Sequence, residues 1–240
     1  GNTIDPQALI DTFGADTVRL FTMFAAPPEL SLEWSDDGVA GAYKFLKRVH
    51  SLISNHLEQG KHQIHRKIEM NALSNQARDL YRKLHETIQK VTYDIGTRYH
   101  FNTAIAAVME LTNQAIRFLP SNKNDWAVQS AVVETVLILL YPITPHITAH
   151  LWNQLGNKTH LDQQSWPKVH KEALHRSTLT IVVQVNGKLR SRIQVPIDAD
   201  RDSVLKLARN DPQVAKFLIG TTEKKVIFVP EKLVNIVVIQ

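Results

Sequence analysis

The chain has 240 residues, of which 43% are hydrophobic and 21% charged, a balance typical of a globular protein with one or two domains. It contains no cysteine, which excludes disulfides and thiolate metal sites. No apolar run approaches the roughly 18 residues of a membrane helix, and the opening GNTIDPQAL lacks the order of a signal peptide. These features predict a cytoplasmic protein.

Positive charge is concentrated at the C-terminal end. The net charge is +5, yet residues 1–170 hold 16 Lys and Arg against 16 Asp and Glu. Residues 171–240 hold 12 against seven and therefore carry the whole excess. Such a surface favours a polyanionic partner, most often nucleic acid. A solvated lysine-rich surface is the alternative.

The first 37 residues predict a helical connector. Asp5-Pro6 begins a short helix that Gly14 ends, and Asp16 is expected to cap a second helix that Pro27-Pro28 stops. The segment ELSLEWSDD, 29–37, indicates an extended link.

Longer helical segments follow and predict an antiparallel bundle over 38–157. Asp36 or Asp37, Asn71 and Asp125 are the expected caps of three of its helices. Pro142 and Pro145 separate the last two helices.

The stretch 101–119, FNTAIAAVMELTNQAIRFL, organises this bundle. Its apolar residues recur at three- and four-residue steps and occupy several sides of the predicted helix. We therefore expect this helix to lie in the interior of the bundle. The stripe runs from Phe101 to Leu119, and Pro120 ends it.

Residues 158–176 are polar and predict a linker. Beyond them the hydrophobic period changes from 3.6 to 2, which indicates strands. Residues 177–240 show the order strand, strand, helix, helix, strand, strand. The predicted fold is therefore a multi-domain chain, mainly an α-helical bundle followed by a small α+β domain of order ββααββ.

Asn186-Gly187 lies between two alternating segments and predicts a hairpin. A two-residue turn would mix apolar and charged residues on one face. A three-residue loop over 185–187 pairs Gln184 with Lys188 and places the apolar and the charged residues on opposite faces. It places Leu179, Ile181, Val183, Leu189, Ile193 and Val195 on one face, and Thr180, Gln184, Lys188, Arg190 and Arg192 on the other. We therefore predict the longer loop, with Gly187 at positive φ.

No pattern in the sequence carries an enzyme's chemistry. The phosphate-binding glycine loop and the nucleophile elbow are absent. His146 and His150 have the spacing of a zinc hydrolase pair, but Ile147 stands where the general base should follow. Packing or surface histidines are the favoured interpretation. His56, His62 and His65 are expected to be solvated.

Basic residues are the stronger indication of function. Lys188, Arg190 and Arg192 are expected on one strand face, and Lys224-Lys225 precede another strand. Cations on a rigid strand suit phosphate contacts, although an ordinary exposed sheet face would look the same.

Several segments resemble the C-terminal part of bacterial-type leucyl-tRNA synthetases, a family of class I aminoacyl-tRNA synthetases. The opening GNTIDPQALIDTFGADTVRLFTMFAAP is similar to the segment after that family's KMSKS loop. WSDDGVAGAYKFLKRV, FNTAIAAVMEL and YPITPHITAHLW resemble its anticodon-binding bundle. VVQVNGKLRSRIQVP, KKVIFVP and KLVNIVVI resemble its small C-terminal domain. The bundle motifs leave the valyl and isoleucyl enzymes open, and VQVNGK favours the leucyl enzyme.

The resemblance implies a role in holding tRNA. The HIGH and KMSKS motifs are absent, so the chain itself is expected to be inactive and to need no cofactor, whereas the parent enzyme would use ATP and Mg²⁺. The expected partners are leucine-specific tRNA and the parent's catalytic domain, with a monomeric state. Candidate tRNA contacts are Lys188, Arg190, Arg192, Lys224 and Lys225, with Lys44, Lys47 and Arg48 on the bundle. A protein–protein scaffold with an incidental basic tail, or a metal hydrolase at His146 and His150, remain the alternatives.

Overall fold

Between residues 174 and 175 the chain divides into a helical unit, Gly1–Leu174, and an α+β unit, His175–Gln240. The computed structural model describes residues 5–59, 62–63, 66–175 and 178–239. His65, which the sequence suggested to be solvated, lies outside them. The finer boundaries expected after residues 37, 157 and 176 stay predictions.

The helical unit contains seven α-helices within the described residues. They are α1 (Gln7–Phe13), α2 (Ala15–Ala25), α3 (Asp36–Glu58), α4 (Asn75–Tyr93), α5 (Phe101–Arg117), α6 (Lys123–Leu140) and α7 (Pro145–Gln154). A π-helical turn, Asp94–Arg98, joins α4 to α5. Short 3-10 turns occupy Met70–Ala72, Leu161–Gln163 and Lys171–Leu174. In the described part of the chain, no helix is long and apolar enough to cross a membrane.

Two helix caps differ from those predicted. Ser35, rather than Asp36 or Asp37, caps α3, because its Oγ accepts the Gly38 N–H at 3.1 Å. Both aspartates already lie in the first turn. Ser74, rather than Asn71, caps α4 in the same way. In each case the cap is the residue just outside the helix, where the backbone is extended.

The predicted caps at Asp125 and Asp16 are also wrong, because both carboxylates bind other elements. Asn122 caps α6. Asp125, fully buried, accepts the Ser74 N–H at 3.2 Å and the Ser121 hydroxyl at 2.7 Å, which ties the start of α6 to the start of α4. Burial tends to raise the pKa of Asp125, but these hydrogen bonds together leave it below its ordinary value.

Asp16 joins α2 to α7 in a similar way. Its Oδ2 accepts the Ile147 N–H at 2.7 Å, and its Oδ1 lies 2.9 Å from His146 Nδ1. Ile147 lies in the first turn of α7, where backbone N–H groups lack partners within the helix. Asp16 lies in the first turn of α2 but satisfies the N-terminus of α7.

The interior of the helical unit forms where α5 and α6 meet their neighbours. Helix α5 contacts α2, α3, α4 and α6, as expected for a central helix, and Ile105 on it is fully buried. Its apolar coverage is narrower than predicted, because Ile116 is 44% and Leu119 79% exposed. The helix ends at Arg117, so Leu119 leaves the stripe. Helix α6 is the more thoroughly buried of the two.

In the described part of the α+β unit, four strands form one mixed sheet. The elements follow in the order β1 (Thr178–Val185), β2 (Lys188–Pro196), α8 (Arg201–Asn210), α9 (Pro212–Ala215), β3 (Thr222–Val229) and β4 (Leu233–Ile239). Their order across the sheet is β2-β1-β4-β3, and the central pair, β1 and β4, is parallel. The apolar residues of α8 and α9 join one face of the sheet in a single core.

The hairpin between β1 and β2 corrects the predicted register. Val185 pairs with Lys188, so the turn contains two residues, Asn186 and Gly187, both at positive φ. The predicted three-residue loop is therefore wrong, although the positive φ of Gly187 is confirmed. A bulge at Arg190 inserts one residue and restores the apolar alternation beyond it. Leu189 consequently pairs with Gln184 and is 48% exposed, rather than joining the buried face.

Asn186 explains why the short turn is stable. Its Nδ2 donates to the Val238 carbonyl at 3.1 Å and its Oδ1 accepts the Val238 N–H at 2.9 Å. The side chain thus pairs with β4 as a backbone segment would. Asparagine also tolerates the left-handed backbone at this position.

Replacing Ile105 with alanine tests the interior position of α5. We expect a loss of roughly 2–5 kcal/mol in the free energy of unfolding, because the substitution leaves a cavity in a packed core. Ile116→Ala on the same helix is the matched control and should cost less than about 1 kcal/mol. Denaturant unfolding measures both, and equal losses would contradict the assignment of the two faces.

Replacing Asn186 with alanine tests the turn. We expect the free energy of unfolding to fall by roughly 1–3 kcal/mol, because the backbone groups of Val238 lose their partners. Asn186→Gly relieves the positive φ but also loses the hydrogen bonds, so it should be destabilised by less than the alanine variant. If Asn186→Ala unfolds like the parent protein, the turn does not depend on this side chain.

Candidate nucleic-acid interface

The basic residues predicted in the α+β unit lie on both edges of the sheet. Lys188, Arg190 and Arg192 belong to β2, whereas Lys224 and Lys225 belong to β3. Strands β2 and β3 are the outermost strands, separated by β1 and β4. These residues therefore form two separate groups, and Lys224 and Lys225 lie within β3 rather than before it, as the sequence had suggested.

Arg192 and Lys225 share the sheet face that α8 and α9 leave uncovered. Arg192 pairs with Val182 on β1, and Lys225 pairs with Val237 on β4. Both side chains are exposed. From the strand spacing and the rise per residue, their Cα atoms are roughly 20 Å apart. They can therefore contact phosphates at two separated points of one large polyanion.

Arg190 lies on the opposite side from the one predicted. Its guanidinium carbon lies 3.7 Å from the centre of the Phe217 ring, and Phe217 packs on the core shared with α9. Its Nε is buried, with no hydrogen-bond partner among the described residues. The bulge turns this residue toward the helices, because the inserted position breaks the alternation of β2. Arg190 is thus partly engaged in a cation–π contact.

The uncovered sheet face combines aliphatic and polar side chains. Ile227, Val229 and Ile239 are 40%, 36% and 50% exposed, and Gln184 and Asn235 lie between the two basic edges. A face that is neither fully apolar nor fully charged suits contact with RNA sugars and bases as well as with phosphates.

The candidates on the bundle lie along one side of α3. Lys44, Lys47 and Arg48 are all exposed, at helical spacing. Lys47 Nζ is 5.5 Å from the Tyr43 ring centre, and the guanidinium carbon of Arg48 is 5.7 Å from that of Phe45. Both charged ends remain available to a ligand.

Lys47 and Arg48 also border an open cavity of about 600 Å³ between α3 and the connection from α5 to α6. His56 is among the lining residues, although it is only 3% exposed, contrary to the predicted solvation. The His62 side chain is 9% exposed and lies 3.1 Å from His56 Nε2, so that prediction is wrong as well. The polar composition around these histidines gave no sign that they fold inward.

A second buried histidine, His85, lies on α4. The His85 ring stacks on the His170 ring at 4.8 Å, and its Nδ1 accepts the His170 backbone N–H. Burial, followed by the neighbouring histidine, lowers the pKa of both His56 and His85 to about 4. Both side chains are therefore neutral near pH 7.

The histidine pair considered for a metal is engaged in other contacts. His146 is bound to Asp16, and His150 Nε2 lies 3.0 Å from Gln154 Nε2. Within the described ranges, no group of three or more His, Cys, Asp and Glu side chains could hold a metal ion.

These features, a helical unit and a small α+β unit with basic edges, agree with the family comparison. The family model described as "Anticodon-binding domain of tRNA ligase" matches residues 77–205. The chain belongs to this family.

The relatives are leucine–tRNA ligases, which confirms the resemblance found in the sequence. The chain is 51% identical over 237 residues to that of Alcanivorax borkumensis and 49% identical to that of Halorhodospira halophila. Each match covers 99% of this chain but 29% of the relative, so the chain spans less than a third of their length.

Two solved structures resemble the fold of this chain. A LeuRS from Agrobacterium radiobacter, determined as a ternary complex with tRNA and LeuAMS, matches all of this chain and 30% of its own, with a TM-score of 0.70 and 29% identity. Free methionyl-tRNA synthetase of Mycobacterium tuberculosis matches 71% of this chain and 37% of its own, with a TM-score of 0.52 and 18% identity. At 18% identity, the match to methionyl-tRNA synthetase shows a similar fold and nothing more.

Lowering the pH tests whether His56 and His85 are buried as neutral side chains with lowered pKa values. Their folded pKa is below the unfolded one, so the unfolded state binds more protons and stability is lost as the pH falls from about 6.5 toward 4. Each contributes at most about 1.4 kcal/mol per pH unit in that window. Urea unfolding at pH 7, 6 and 5 measures the effect. His85→Asn keeps an acceptor for His170 but binds no proton, and should reduce the slope.

Proposed function

We propose that the chain is the tRNA-docking part of a leucine–tRNA ligase, an enzyme that joins leucine to its tRNA with ATP during protein synthesis. The observation that carries the proposal is the identity of about 50% to leucine–tRNA ligases along 99% of the chain. The anticodon-binding family match and the tRNA present in the related LeuRS structure support the same partner.

The helical unit supplies a bundle of the class I anticodon-binding type, which is expected to lie along the tRNA stem on the anticodon side. The α+β unit, of order ββααββ, is expected at the tRNA elbow. The cations of α3 and of the sheet edges suit phosphates, and the described structure holds them on regular elements. Docking by shape and phosphate contacts, rather than by reading the anticodon, fits this arrangement.

Catalysis is assigned to other parts of the parent enzyme. The 240 residues contain neither HIGH nor KMSKS. We therefore propose that ATP and Mg²⁺ act outside this chain, and that the chain itself uses no cofactor. A cytoplasmic, monomeric parent is part of the same proposal.

Among the candidate contacts, Lys188, Arg192, Lys224 and Lys225 are the most accessible in the α+β unit. Arg190 is the weakest, since its guanidinium already rests on Phe217. Lys44, Lys47 and Arg48 offer a second set on the bundle.

A salt series of tRNA binding to the chain tests the proposal. If about four phosphates are engaged, log K should fall with log salt at a slope of roughly −3. The combined variant Arg192→Gln and Lys225→Gln should reduce the slope by about 1–2 and weaken binding of all tRNAs alike.

Lys232→Gln is the matched control, because Lys232 is exposed in the same unit but lies in the turn between β3 and β4. It should leave the slope nearly unchanged. A slope near zero, or binding no tighter than that of an unrelated RNA of equal length, would favour the protein–protein scaffold instead.

A further inference from the structure

The turn between β1 and β2 contains a dipeptide that is chemically labile in a flexible chain. Asn186-Gly187 is the single Asn-Gly pair among the 240 residues. In such a pair the glycine backbone nitrogen can attack the asparagine side-chain amide, because glycine has no Cβ to hinder the approach. Both residues are exposed, so water reaches the turn. The lability of the pair therefore depends on the contacts that its two reacting groups make.

Both reacting groups are hydrogen-bonded to β4. The Asn186 amide, whose carbon would be attacked, donates through Nδ2 to the Val238 carbonyl at 3.1 Å and accepts the Val238 N–H at 2.9 Å. The Gly187 nitrogen, which would attack, donates to Asn235 Oδ1 at 3.0 Å. The Asn186 backbone N–H is bound as well, to the Ile236 carbonyl at 3.0 Å. One strand thus holds the electrophile and the nucleophile of the reaction.

Cyclisation of the pair requires these contacts to open. The Asn186 amide must turn away from Val238, and the Gly187 nitrogen must leave its acceptor on Asn235. The two backbone groups of Val238, a buried residue, then lose these partners, which costs free energy. The reaction is consequently limited to the small fraction of molecules in which the turn is open.

The backbone of the turn explains why a labile dipeptide is present. Asn186 has a φ of 50° and Gly187 a φ of 76°. A two-residue turn with positive φ at both positions favours asparagine followed by glycine, and a larger residue at position 187 would be strained. The fold therefore requires this pair, and β4 supplies the contacts that offset its lability.

We propose that Asn186 is a deamidation site that β4 protects, with Asn235 holding the attacking nitrogen and Val238 holding the amide. In the reaction a bond forms between the Gly187 nitrogen and Asn186 Cγ, and the bond between Cγ and Nδ2 breaks. Nδ2 leaves as ammonia with the proton of the Gly187 amide. Water then opens the cyclic imide at either carbonyl and gives aspartate or isoaspartate. The proposal is independent of tRNA docking.

Either product would weaken the hairpin. An aspartate at position 186 keeps an acceptor for the Val238 N–H, but it places a carboxylate oxygen against the Val238 carbonyl, to which the amide donated. An isoaspartate adds one methylene to the backbone of the turn and disturbs the pairing of Val185 with Lys188. Because the turn sets the register of the hairpin, the damage extends along β2.

Incubation at mildly alkaline pH, followed by peptide mapping with mass spectrometry, measures the reaction. Deamidation replaces an amide nitrogen with oxygen, and the mass change identifies the modified peptide. We expect Asn186 to deamidate roughly ten-fold or more slowly in the folded chain than in the same chain unfolded in guanidinium chloride. Equal rates in the two states would overturn the proposal.

Variants of Asn235 locate the protection. Asn235→Val removes the acceptor of the Gly187 N–H and suits a strand, so deamidation of Asn186 should become roughly five-fold faster. Asn235→Asp is the matched control, because it keeps an oxygen acceptor, and it should stay close to the parent rate. Amide hydrogen exchange at Gly187 gives a second readout and should become faster in Asn235→Val but not in Asn235→Asp.

A destabilised control separates opening of the turn from unfolding of the whole unit. Val234→Ala removes part of the buried core on β4 and leaves both hydrogen-bonded groups in place. It should lower the free energy of unfolding yet leave the deamidation rate nearly unchanged. If it accelerates deamidation as much as Asn235→Val does, the proposed protection is wrong. The proposal also fails if Asn235→Val, folded by circular dichroism, deamidates at the parent rate.

Discussion

The helical unit depends on helix α6, whose apolar residues are buried on all sides and whose polar residues must therefore find partners inside the protein. Asn124 and Asp125 at its start meet this requirement by binding the chain before α4. Asn124 exchanges two hydrogen bonds with the backbone of Glu69, and Asp125 receives the Ser74 N–H. One helical turn thus fixes both the start of α6 and the path that leads into α4.

The same requirement explains which parts of the fold were predictable. Apolar periodicity placed the helices within a few residues, because a helix packed in a core repeats its contacts every turn. The polar residues at helix ends were harder to interpret. Asp16 and Asp125 have the type and position of a cap, yet each pairs with an element distant in sequence, which only tertiary structure reveals.

The sheet and the candidate site were predictable to different degrees. Asn186-Gly187 correctly indicated a hairpin, but its register depends on a bulge at Arg190 and on bonds from Asn186 to β4, neither of which has a local signal. The basic residues were recognised by type and spacing, whereas their separation onto two edges follows from the strand order. The inward position of His56 was hidden by a polar stretch beside it.

The two outer strands have one further property in common. Each contains a bulge, at Arg190 in β2 and at Lys224 in β3, and each bulged position is basic. Irregular, positively charged margins hinder another chain from adding a strand to the sheet. Charged, bulged edges of this kind disfavour the pairing of β2 or β3 with a further strand. A variant with all of these cations neutralised would lose this feature, so a test of the proposed RNA binding would have to separate aggregation from a loss of affinity.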